Sequence, residues 1–426
     1  MTSHAPNFDH LWFPFTSYQD HINNPPIVID HGNGIYLYDK QGRGYIDAIG
    51  SWWVSILGHN HPEITGAVHD QLKKLEHVMM AGFVTEVALE LSHKIIELLP
   101  GGFSRVFYSD NGSTAVEVAM KMALQYCALR GENRTEFIGL SGGYHGDTLG
   151  AMSVGNIPLY HTLFHERFRV HHFTDSPYCY RCPAGKNPQD CEAECMNSLE
   201  RVCERHGSKV AACVFEPMVQ GAAGMRIYPS KVLNRINDIC SEYGILTIAD
   251  EVATGFGRTG EMFAFEHSSM VPDIICLAKG LTGGYLPLSA TVVKESFFEE
   301  FKGTDARTFH HGHTFTGNPL AAAAACATLA IVKRDGLPRS QAVTIDHFRT
   351  GLKRFSRFEV VGDIRSIGMI GALELVADRK TKARLDSESR IAFRIAQAAL
   401  RRGLVVRPLG DVIYFVPALT VSTDAV

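Results

Sequence analysis

Two stretches of the chain decide its fold class. Residues 245–260 read ILTIADEVATGFGRTG, and residues 272–280 read PDIICLAKG. Each contains a short, continuously apolar run that ends at a charged residue, Asp250 in the first stretch and Lys279 in the second. Runs of this length and composition are typical of strands that are buried on both faces. They predict two strands of a mostly parallel sheet that is covered by helices.

The same alternation of strands and helices continues along the middle of the chain. Amphipathic helices separate short apolar strands, which is the pattern of an α/β fold. One helix is expected to open with a capping box formed by Thr114 and Glu117. The predicted strands are 105–109, 136–140, 210–215, 245–249 and 273–278, and the predicted helices are 114–128, 231–243 and one that starts at Pro319 with Asn318 as its N-cap.

The two ends of the chain have a different pattern. Residues 34–42 look like a hairpin, and residues 358–377 and 405–416 look like further strands. We therefore expect a large domain and a smaller α+β domain that is built from both chain ends. The expected boundaries are 1–60 for the N-terminal part of the small domain, 61–334 for the large domain with a loop insert at 176–196, and 335–426 for the C-terminal part of the small domain.

Composition and charge exclude several classes of protein. Of the 426 residues 45% are hydrophobic and 20% are charged, so the chain is not wholly disordered. Lys and Arg (41) nearly balance Asp and Glu (45), and the net charge of −4 provides no basic surface for nucleic acid or an anionic membrane. The longest apolar run, about residues 320–332, is too short to span a bilayer.

The N-terminus and the cysteines indicate a cytoplasmic protein. Residues 1–15 have neither a basic region nor an apolar core, which predicts that there is no secretory signal. We therefore interpret the ten cysteines as reduced thiols. Six of them lie in periodic apolar segments and are expected in the core, namely Cys127, Cys203, Cys213, Cys240, Cys276 and Cys326.

Four junctions that follow predicted strands carry the residues with chemical potential. Ligands of open α/β sheets bind at the carboxyl ends of the strands. Residues 109–114 combine glycine, small hydroxyls and a helix start, which suits a phosphate but also an ordinary capped turn. Asp250 suits a protonated ring nitrogen, although a solvated carboxylate is the simpler interpretation of Asp250 alone.

The other two junctions offer an amine and an aromatic ring. Lys279 follows an apolar strand, so its desolvated amine is a candidate for a Schiff base, although a lone lysine more often reaches outward to water. In residues 142–147, GGYHGD, glycines allow close approach and Tyr144 or His145 could stack on a ring, whereas a plain glycine turn is the alternative. Taken together, the four junctions predict a site for pyridoxal 5′-phosphate.

The two stretches quoted first also resemble the signature of the class III aminotransferases, and the resemblance extends from about residue 10 to residue 420. It implies the aspartate-aminotransferase-like fold (fold type I), pyridoxal 5′-phosphate as cofactor, and a homodimer with active sites at the subunit interface. It also implies that Lys279 is the Schiff-base lysine, that Asp250 binds the pyridine nitrogen and that Tyr144 lies against the ring. The implied phosphate ligands are Gly112 and Ser113, together with His313 and Thr314 of the partner chain.

A narrower set of motifs resembles one branch of this family, whose members convert 8-amino-7-oxononanoate to 7,8-diaminononanoate in biotin biosynthesis. The motifs include residues 12–16 (WFPFT), 51–53 (SWW), 219–225 (VQGAAGM) and 406–408 (VRP). The resemblance implies S-adenosyl-L-methionine as the amino donor. The implied substrate-binding residues are Phe15, Trp52, Trp53, Tyr144, Lys279, Gly312 and Arg407.

The residue types agree with such a substrate. A long aliphatic acid needs an apolar or aromatic wall and one cation, and Arg407 offers a bidentate partner for its carboxylate. Core packing is the alternative role of Trp52 and Trp53. Phe15 stands where well-known members of the branch have tyrosine, so one hydroxyl is absent.

Three other functions stay open at this stage. Some relatives use lysine as donor for the same acceptor. Another class III activity, such as an ornithine, 4-aminobutyrate or amine:pyruvate transaminase or a semialdehyde aminomutase, is disfavoured by the paired Trp52 and Trp53. A homologue without catalytic activity is disfavoured because Lys279, Asp250 and the phosphate loop are all present.

Four cysteines between residues 178 and 195 form the most unusual part of the chain. They are paired as C-x₂-C and C-x₃-C within a proline-rich segment that is predicted to be a loop. Such spacing occurs in Cys₄ zinc sites. A structural metal or redox clip and a surface loop of free thiols both remain open, and no metal ligand is assigned to Cys179, Cys182, Cys191 or Cys195.

Overall fold

The computed structural model describes residues 8, 10–167 and 171–426. The short apolar runs of the sequence form its strands. They are β1 Ile29–Asn33, β2 Tyr36–Asp39, β3 Gly44–Asp47, β4 Phe103–Ser109, β5 Glu136–Leu140, β6 His172–Thr174, β7 Val210–Phe215, β8 Val219–Gln220, β9 Arg226–Ile227, β10 Leu246–Asp250, β11 Ile274–Leu277, β12 Ser289–Lys294, β13 Val361–Ile367, β14 Ile370–Leu375, β15 Leu404–Val405, β16 Pro408–Leu409 and β17 Val412–Phe415.

The helices lie between these strands and mostly bury one apolar face. They are α1 Tyr18–Asn23, α2 Gly50–Trp53, α3 Pro62–Leu72, α4 Glu86–Leu98, α5 Gly112–Leu129, α6 Leu149–Ser153, α7 Pro158–His165, α8 Asn197–His206, α9 Lys231–Glu242, α10 Glu295–Phe298, α11 Pro319–Arg334, α12 Ala342–Lys353 and α13 Ile391–Leu400. Among the described residues, no helix has both the length and the apolar character that crossing a membrane requires.

A seven-stranded sheet forms the centre of the molecule. Its strand order is β4-β12-β11-β10-β7-β5-β6. The pairings of β5, β6, β7, β10 and β11 with one another are parallel, whereas β12 runs antiparallel to both of its neighbours. Strands β7, β10 and β11 are almost completely buried. The predicted α/β fold with a mostly parallel sheet is therefore confirmed, and the antiparallel β12 is an element that apolar patterning did not reveal.

Helix α5 begins two residues before its predicted start, and this changes its cap. Asn111 is the N-cap, and its side chain accepts a hydrogen bond from the backbone N–H of Thr114 at 3.1 Å. The Thr114 hydroxyl in turn accepts one from the N–H of Asn111 at 3.1 Å. The predicted capping box of Thr114 and Glu117 is therefore wrong, because the earlier start makes Thr114 the third helical residue. Glu117 instead accepts a hydrogen bond from the N–H of Ala151.

Two smaller sheets are formed by the chain ends. β1, β2 and β3 form an antiparallel meander, and β15 from the C-terminal part joins it by pairing in parallel with β3. The hairpin expected at 34–42 is instead formed by β2 and β3, so its second strand lies further along the chain than predicted. β13, β14, β17 and β16 form a separate antiparallel sheet. The domain boundaries given above stay a prediction.

The six cysteines that the sequence predicts to be buried lie in the core. All six of those residues are buried in the structure. The alanine-rich α11 is buried along most of its length and packs on α3 and α4. Asn318 caps it as predicted, because its side chain accepts hydrogen bonds from the N–H groups of Leu320 and Ala321 at 3.1 Å each.

Candidate active site

A cavity of about 640 Å³ opens at the carboxyl ends of β7, β10 and β11. This is the edge where open α/β sheets bind ligands. The cavity gathers residues at the carboxyl ends of five strands of the central sheet, β4, β5, β7, β10 and β11, although these residues are far apart in the sequence. Its lining includes Trp53, Asp110, Gly112, Ser113, Tyr144, Glu216, Asp250, Val252 and Lys279.

The N-terminus of α5 forms one wall of the cavity. The first backbone N–H groups of a helix have no partners within the helix and carry the positive end of its dipole, which suits an anion. A Cβ atom on Gly112 would lie 2.5 Å from Cγ1 of Val252, so only glycine allows this helix start to approach that side chain. The hydroxyl oxygens of Ser113 and Thr148 lie 2.7 Å apart and hold the Ser113 side chain in place.

Asp250 ends β10 and is buried against the imidazole of His145. The Nδ1 atom of His145 lies 2.7 Å from Oδ2 of Asp250, and Oδ1 accepts a hydrogen bond from the N–H of Val252 at 3.1 Å. Within the described residues, Nε2 of His145 has no hydrogen-bond partner although it is buried. These contacts fix the orientation of the carboxylate toward the cavity, and they identify His145 as a positioning residue.

Lys279 follows β11 on a residue with left-handed backbone, φ = +43°. Burial lowers the pKa of its amine, and the nearby carboxylates of Asp250 and Glu216 partly oppose this effect. The Nζ atom lies 4.8 Å from the centroid of the Trp53 ring. A lysine with a lowered pKa has a larger neutral fraction, which is the form that acts as a nucleophile.

Glu216 is a buried cavity residue that the sequence analysis missed. It follows β7, and its two oxygens accept hydrogen bonds from the N–H groups of Tyr144 at 3.1 Å and Gly221 at 2.8 Å. Burial raises the pKa of Glu216 to about 7. The signal was present in the sequence, because a glutamate directly after the apolar run 210–215 repeats the pattern of Asp250 and Lys279.

Tyr144 stands between the cavity and an aromatic layer. Its hydroxyl donates to Oδ2 of Asp147 at 2.8 Å. Its ring is stacked with His161, with centroids 6.1 Å apart and planes tilted by 13°. Burial, followed by the Asp147 contact, raises the pKa of Tyr144 well above its ordinary value. The structure therefore places Tyr144 where a planar ligand could lie against it, and Tyr144 stays protonated at neutral pH.

Phe15, Trp52 and Arg407, which the sequence motifs predict to bind substrate, form a second cluster together with Tyr160. We call it the substrate cluster after this prediction. The rings of Phe15 and Trp52 meet edge to face with centroids 5.8 Å apart. The guanidinium of Arg407 lies 5.1 Å from the Trp52 centroid and donates to the Phe15 carbonyl at 2.9 Å. Tyr160, which sequence reasoning missed, connects this cluster to Tyr144 through centroid distances of 5.2 Å to Phe15 and 6.3 Å to Tyr144.

The turn that carries Trp52 and Trp53 is strained. Ser51, Trp52 and Trp53 have φ values of +46°, +62° and +76°, a region that residues other than glycine rarely adopt. The fully buried Arg258 holds this turn, because its Nη2 donates to the carbonyl oxygens of Trp53 at 3.1 Å and Ser55 at 2.9 Å. Burial lowers the pKa of Arg258 to about 9. The sequence placed Arg258 in the first quoted stretch but gave no indication of this role.

The loop with Gly312, His313 and Thr314 does not line the cavity of its own chain. Gly312 and Thr314 are exposed. The Nδ1 atom of His313 lies 2.8 Å from Oδ2 of Asp110, which anchors the loop beside the start of α5. Their assignment to the site of a partner chain stays a prediction.

Comparison with known proteins assigns the family. The profile of the family "Aminotransferase class-III" matches residues 17–426. This match covers almost the entire chain and includes every cavity residue described above. The chain belongs to the class III aminotransferases, as the sequence motifs indicated.

Individual relatives and solved structures are also similar to this chain over most of its length. An adenosylmethionine-8-amino-7-oxononanoate aminotransferase of Nitratidesulfovibrio vulgaris is 43% identical over 97% of this chain and 77% of its own length. The crystal structure of the enzyme of the same name from Methanocaldococcus jannaschii matches with a TM-score of 0.91 at 37% identity, over 98% of this chain and 94% of that chain. An amine transaminase from an uncultivated Pseudomonas species, crystallised in the PLP-bound form, matches with a TM-score of 0.90 at 35% identity, over 97% and 95% of the two chains.

Proposed function

We propose that this chain is a pyridoxal 5′-phosphate-dependent transaminase that converts 8-amino-7-oxononanoate to 7,8-diaminononanoate in biotin biosynthesis, with S-adenosyl-L-methionine as amino donor. The observation that carries the proposal is the cavity at the strand ends, with Arg407 and Trp52 in an adjoining cluster. Near full-length relatives at 36–43% identity bear the name of this activity. The ten cysteines, all within the described residues, are unpaired. They suit a reducing compartment, so we place the reaction in the cytoplasm.

The cavity residues fit pyridoxal 5′-phosphate. The α5 N-terminus, with Gly112 and Ser113, would hold the phosphate, and Asp250 would hold the protonated ring nitrogen. The amine of Lys279 would hold the aldehyde carbon, and Tyr144 would lie against the ring. When bound, the cofactor supplies an electron sink for the bonding pair that is released at the reacting carbon.

Lys279 and Asp250 then have separate tasks in proton transfer. Lys279 is the base that takes the proton from the amine-bearing carbon of the donor, and the same amine returns that proton during the transfer. Its pKa, lowered by burial, favours the neutral amine that can accept a proton near neutral pH. Asp250, held by His145, keeps a proton on the ring nitrogen and so maintains a positive charge there.

The substrate cluster would bind the carboxylate and the aliphatic chain of the acceptor. Arg407 is the cation that matches the carboxylate of the keto acid, and a guanidinium can donate two parallel hydrogen bonds to such a group. Trp52 and Phe15 supply an apolar wall for the aliphatic chain, with Trp53 and Tyr144 nearer to Lys279. Because one cavity must accept donor and acceptor in turn, the kinetics are expected to be ping-pong.

The choice of donor depends on the same aromatic surface. S-adenosyl-L-methionine brings a sulfonium and a flat adenine, and both suit the faces of Trp52, Trp53 and Tyr144. A lysine donor would need an anion or carbonyls for its ε-ammonium. Asp147 is one carboxylate beside this surface, and the Tyr144 hydroxyl already donates to it.

Single-turnover reactions test the donor. The enzyme loaded with pyridoxal 5′-phosphate is mixed with each donor alone, and conversion of the cofactor to its pyridoxamine form is followed by absorbance. We expect conversion by S-adenosyl-L-methionine and little by lysine. Conversion by lysine alone would reverse the donor assignment while leaving the acceptor unchanged.

We also propose that the enzyme is a homodimer with shared active sites. An exposed apolar patch consists of Met79, Met80, Phe83, Val84 and Phe315. The two segments of the patch are in contact, because the rings of His77 and Phe315 are 5.0 Å apart. Exposed patches of this kind mark protein interfaces. Phe315 of this patch follows Thr314 in the chain. A second copy bound to the patch would therefore contact the loop 312–314, and we propose that this loop then lies near the cavity of the second copy.

Hybrid dimers test the shared site. Thr314→Glu should repel the phosphate of the partner's cofactor, and Lys279→Ala inactivates its own chain. When the two inactive variants are mixed and allowed to exchange subunits, half of the dimers are hybrids with one intact site each. We therefore expect recovery of about a quarter of the wild-type activity. If Thr314 serves the cavity of its own chain, mixing restores no activity.

A further inference from the structure

The loop with the paired cysteines has no role in the transamination site, yet it brings four partly or fully buried cysteines together. Cys179 and Cys182 flank a short 3₁₀ turn, Cys179–Arg181, and Cys195 lies in a second 3₁₀ turn, Glu194–Met196. Cys191 and Cys195 are buried, and Cys179 and Cys182 are half-buried. Four thiols are thus turned toward the interior of one surface loop.

All four thiols line a single small cavity of about 10 Å³. This volume corresponds to one water-sized sphere. The remaining lining comes from residues around the loop and from α9: Pro177, Tyr178, Lys186, Pro188, Glu194, Pro229 and Val232. A one-atom cavity lined by four cysteines offers the ligand set of a structural zinc ion, which takes four thiolates from paired C-x₂₋₄-C motifs.

The sulfur atoms are more widely spaced than in a metal-bound cluster. No three of the four lie within 4.8 Å of one another, and all four belong to the described residues. Tetrahedral zinc with Zn–S bonds of about 2.3 Å holds its sulfurs about 3.8 Å apart. Binding must therefore contract the cluster around the existing cavity, a movement that the two short turns can make.

Two lysines lie beside the cysteines, which would become anionic on metal binding. Lys186 lines the cavity, and the amine of Lys231 donates to the backbone carbonyl of Cys191. Zinc with four thiolates carries a net charge of −2, which these two ammonium groups would attract. These lysines also form ion pairs with Glu194 and Glu192, contacts that already fold them over the loop.

The loop joins two parts of the molecule, so a metal there would have a structural effect. The Nε of Arg181 donates to Glu374 of β14 at 3.2 Å, and the Lys382 amine donates to the carbonyl of Tyr180 at 2.6 Å. On the other side, Cys195 packs in the core beside α8 and α9. A bound ion would fix the connection between the large sheet and the C-terminal sheet.

We propose that Cys179, Cys182, Cys191 and Cys195 bind one zinc ion that clips this loop and stabilises the contact between the two sheets. A tighter group of candidate ligands elsewhere, Glu136, His172 and His206, is less suited. In that group Nε2 of His172 is 2.7 Å from a carboxylate oxygen of Glu136, and its ring is stacked on His206.

Metal analysis of freshly purified, tag-free enzyme tests the proposal. For protein produced with zinc in the medium, we expect about one zinc per chain, and less than about a tenth in Cys191→Ser and Cys195→Ser. His206→Ala and Cys326→Ala are matched controls that should keep the metal. A chelator should lower the Tm of the wild type but not that of the cysteine variants.

A second measurement does not depend on how the variants fold. Cobalt(II) added to reduced, metal-free wild-type protein should produce the intense thiolate-to-cobalt absorption of a tetrahedral site. Absence of this band together with less than about a tenth of an equivalent of zinc would overturn the proposal. Disulfides at these cysteines, iron in place of zinc, or loss of zinc in His206→Ala would overturn it as well.

Discussion

The cavity and the substrate cluster are built in different ways. Asp250 ends one strand of the central sheet, and Glu216 and Lys279 follow two others. Buried hydrogen bonds fix the orientations of Asp250 and Glu216. Phe15 and Arg407 come from opposite ends of the chain, and Trp52 lies on a strained turn. The cluster is also more exposed, with 37% of Trp52 and 50% of Phe15 accessible to solvent.

This difference separates reaction type from substrate choice. A site made of strand ends is rigid, because each group moves only if the sheet moves, and it defines what chemistry can occur. A cluster made of chain ends can change by single substitutions without disturbing the sheet. We therefore expect substitutions in the cavity to affect both half-reactions, and substitutions in the cluster to change substrate binding more than the chemical steps.

The largest effect is expected for Lys279→Ala. Loss of the amine removes the base from both half-reactions, so turnover should fall by at least about 10³-fold with either substrate. Turnover and the visible absorbance of the bound cofactor are the measurements. Lys294→Ala, at the end of β12 and outside the cavity, is the control and should retain activity. Near-normal turnover of Lys279→Ala would falsify its assignment.

The pH dependence of stability tests whether Glu216 is desolvated in the cavity. Its pKa is raised by burial from an ordinary 4.5 to about 7, so the folded protein binds this proton more tightly than the unfolded chain. The free energy of unfolding should therefore fall as pH rises from about 4.5 to 7, by about 3 kcal/mol from this group alone.

The cofactor-free Glu216→Gln variant checks this prediction. Its free energy of unfolding, measured by urea titration between pH 5 and 8, should depend less steeply on pH than that of the wild type. A constant loss from the altered hydrogen bonds does not change the slope. Equal slopes for the two proteins would show that Glu216 is not desolvated in the cavity. Glu251→Gln is a useful comparison, since burial also raises the pKa of Glu251 to about 7.

Arg407→Ala should affect the acceptor alone. Loss of a charge-assisted hydrogen-bonded pair costs about 1.5–3 kcal/mol, which is about a 10- to 150-fold increase in the KM for 8-amino-7-oxononanoate. Arg407→Lys should recover part of this loss, because it keeps the charge but not the bidentate geometry. Steady-state kinetics at saturating donor provide the measurement. An unchanged acceptor KM would mean that another group holds the carboxylate.

Phe15→Tyr is expected to have the smallest effect. The new hydroxyl would lie beside Tyr160 and Trp52 and add one polar contact at the edge of the cluster. We expect changes of about two- to fivefold in the KM of donor or acceptor. Phe13→Tyr is the control, because the Phe13 ring contacts His21 and lies outside the cluster. A loss of turnover as large as that of Lys279→Ala would remove the distinction between cavity and cluster.

Much of the cavity could be predicted because its residues are local to strands that the sequence reveals. The predicted strand 136–140 agrees with β5, and 210–215 agrees with β7. Asp250 and Lys279 directly follow two other predicted strands, 245–249 and 273–278. Even the missed Glu216 obeys the same rule.

The rest of the site depends on tertiary structure. Arg258 is buried beneath the tryptophan turn, and its partners are carbonyl oxygens, which carry no sequence signal. Tyr160 reaches Phe15 only because α7 packs beside the N-terminal segment. The cap of α5 was misplaced because Asn111 and Thr114 are both good capping residues and only the helix start distinguishes them.

The acceptor preference of the purified enzyme tests the proposed function most directly. The kcat/KM for 8-amino-7-oxononanoate is compared with that for pyruvate, with S-adenosyl-L-methionine as donor and mass-spectrometric detection of 7,8-diaminononanoate. We predict formation of this product and a preference of at least about 100-fold over pyruvate. Equal or better use of pyruvate, with no 7,8-diaminononanoate formed, would contradict the proposed function and indicate a general amine transaminase.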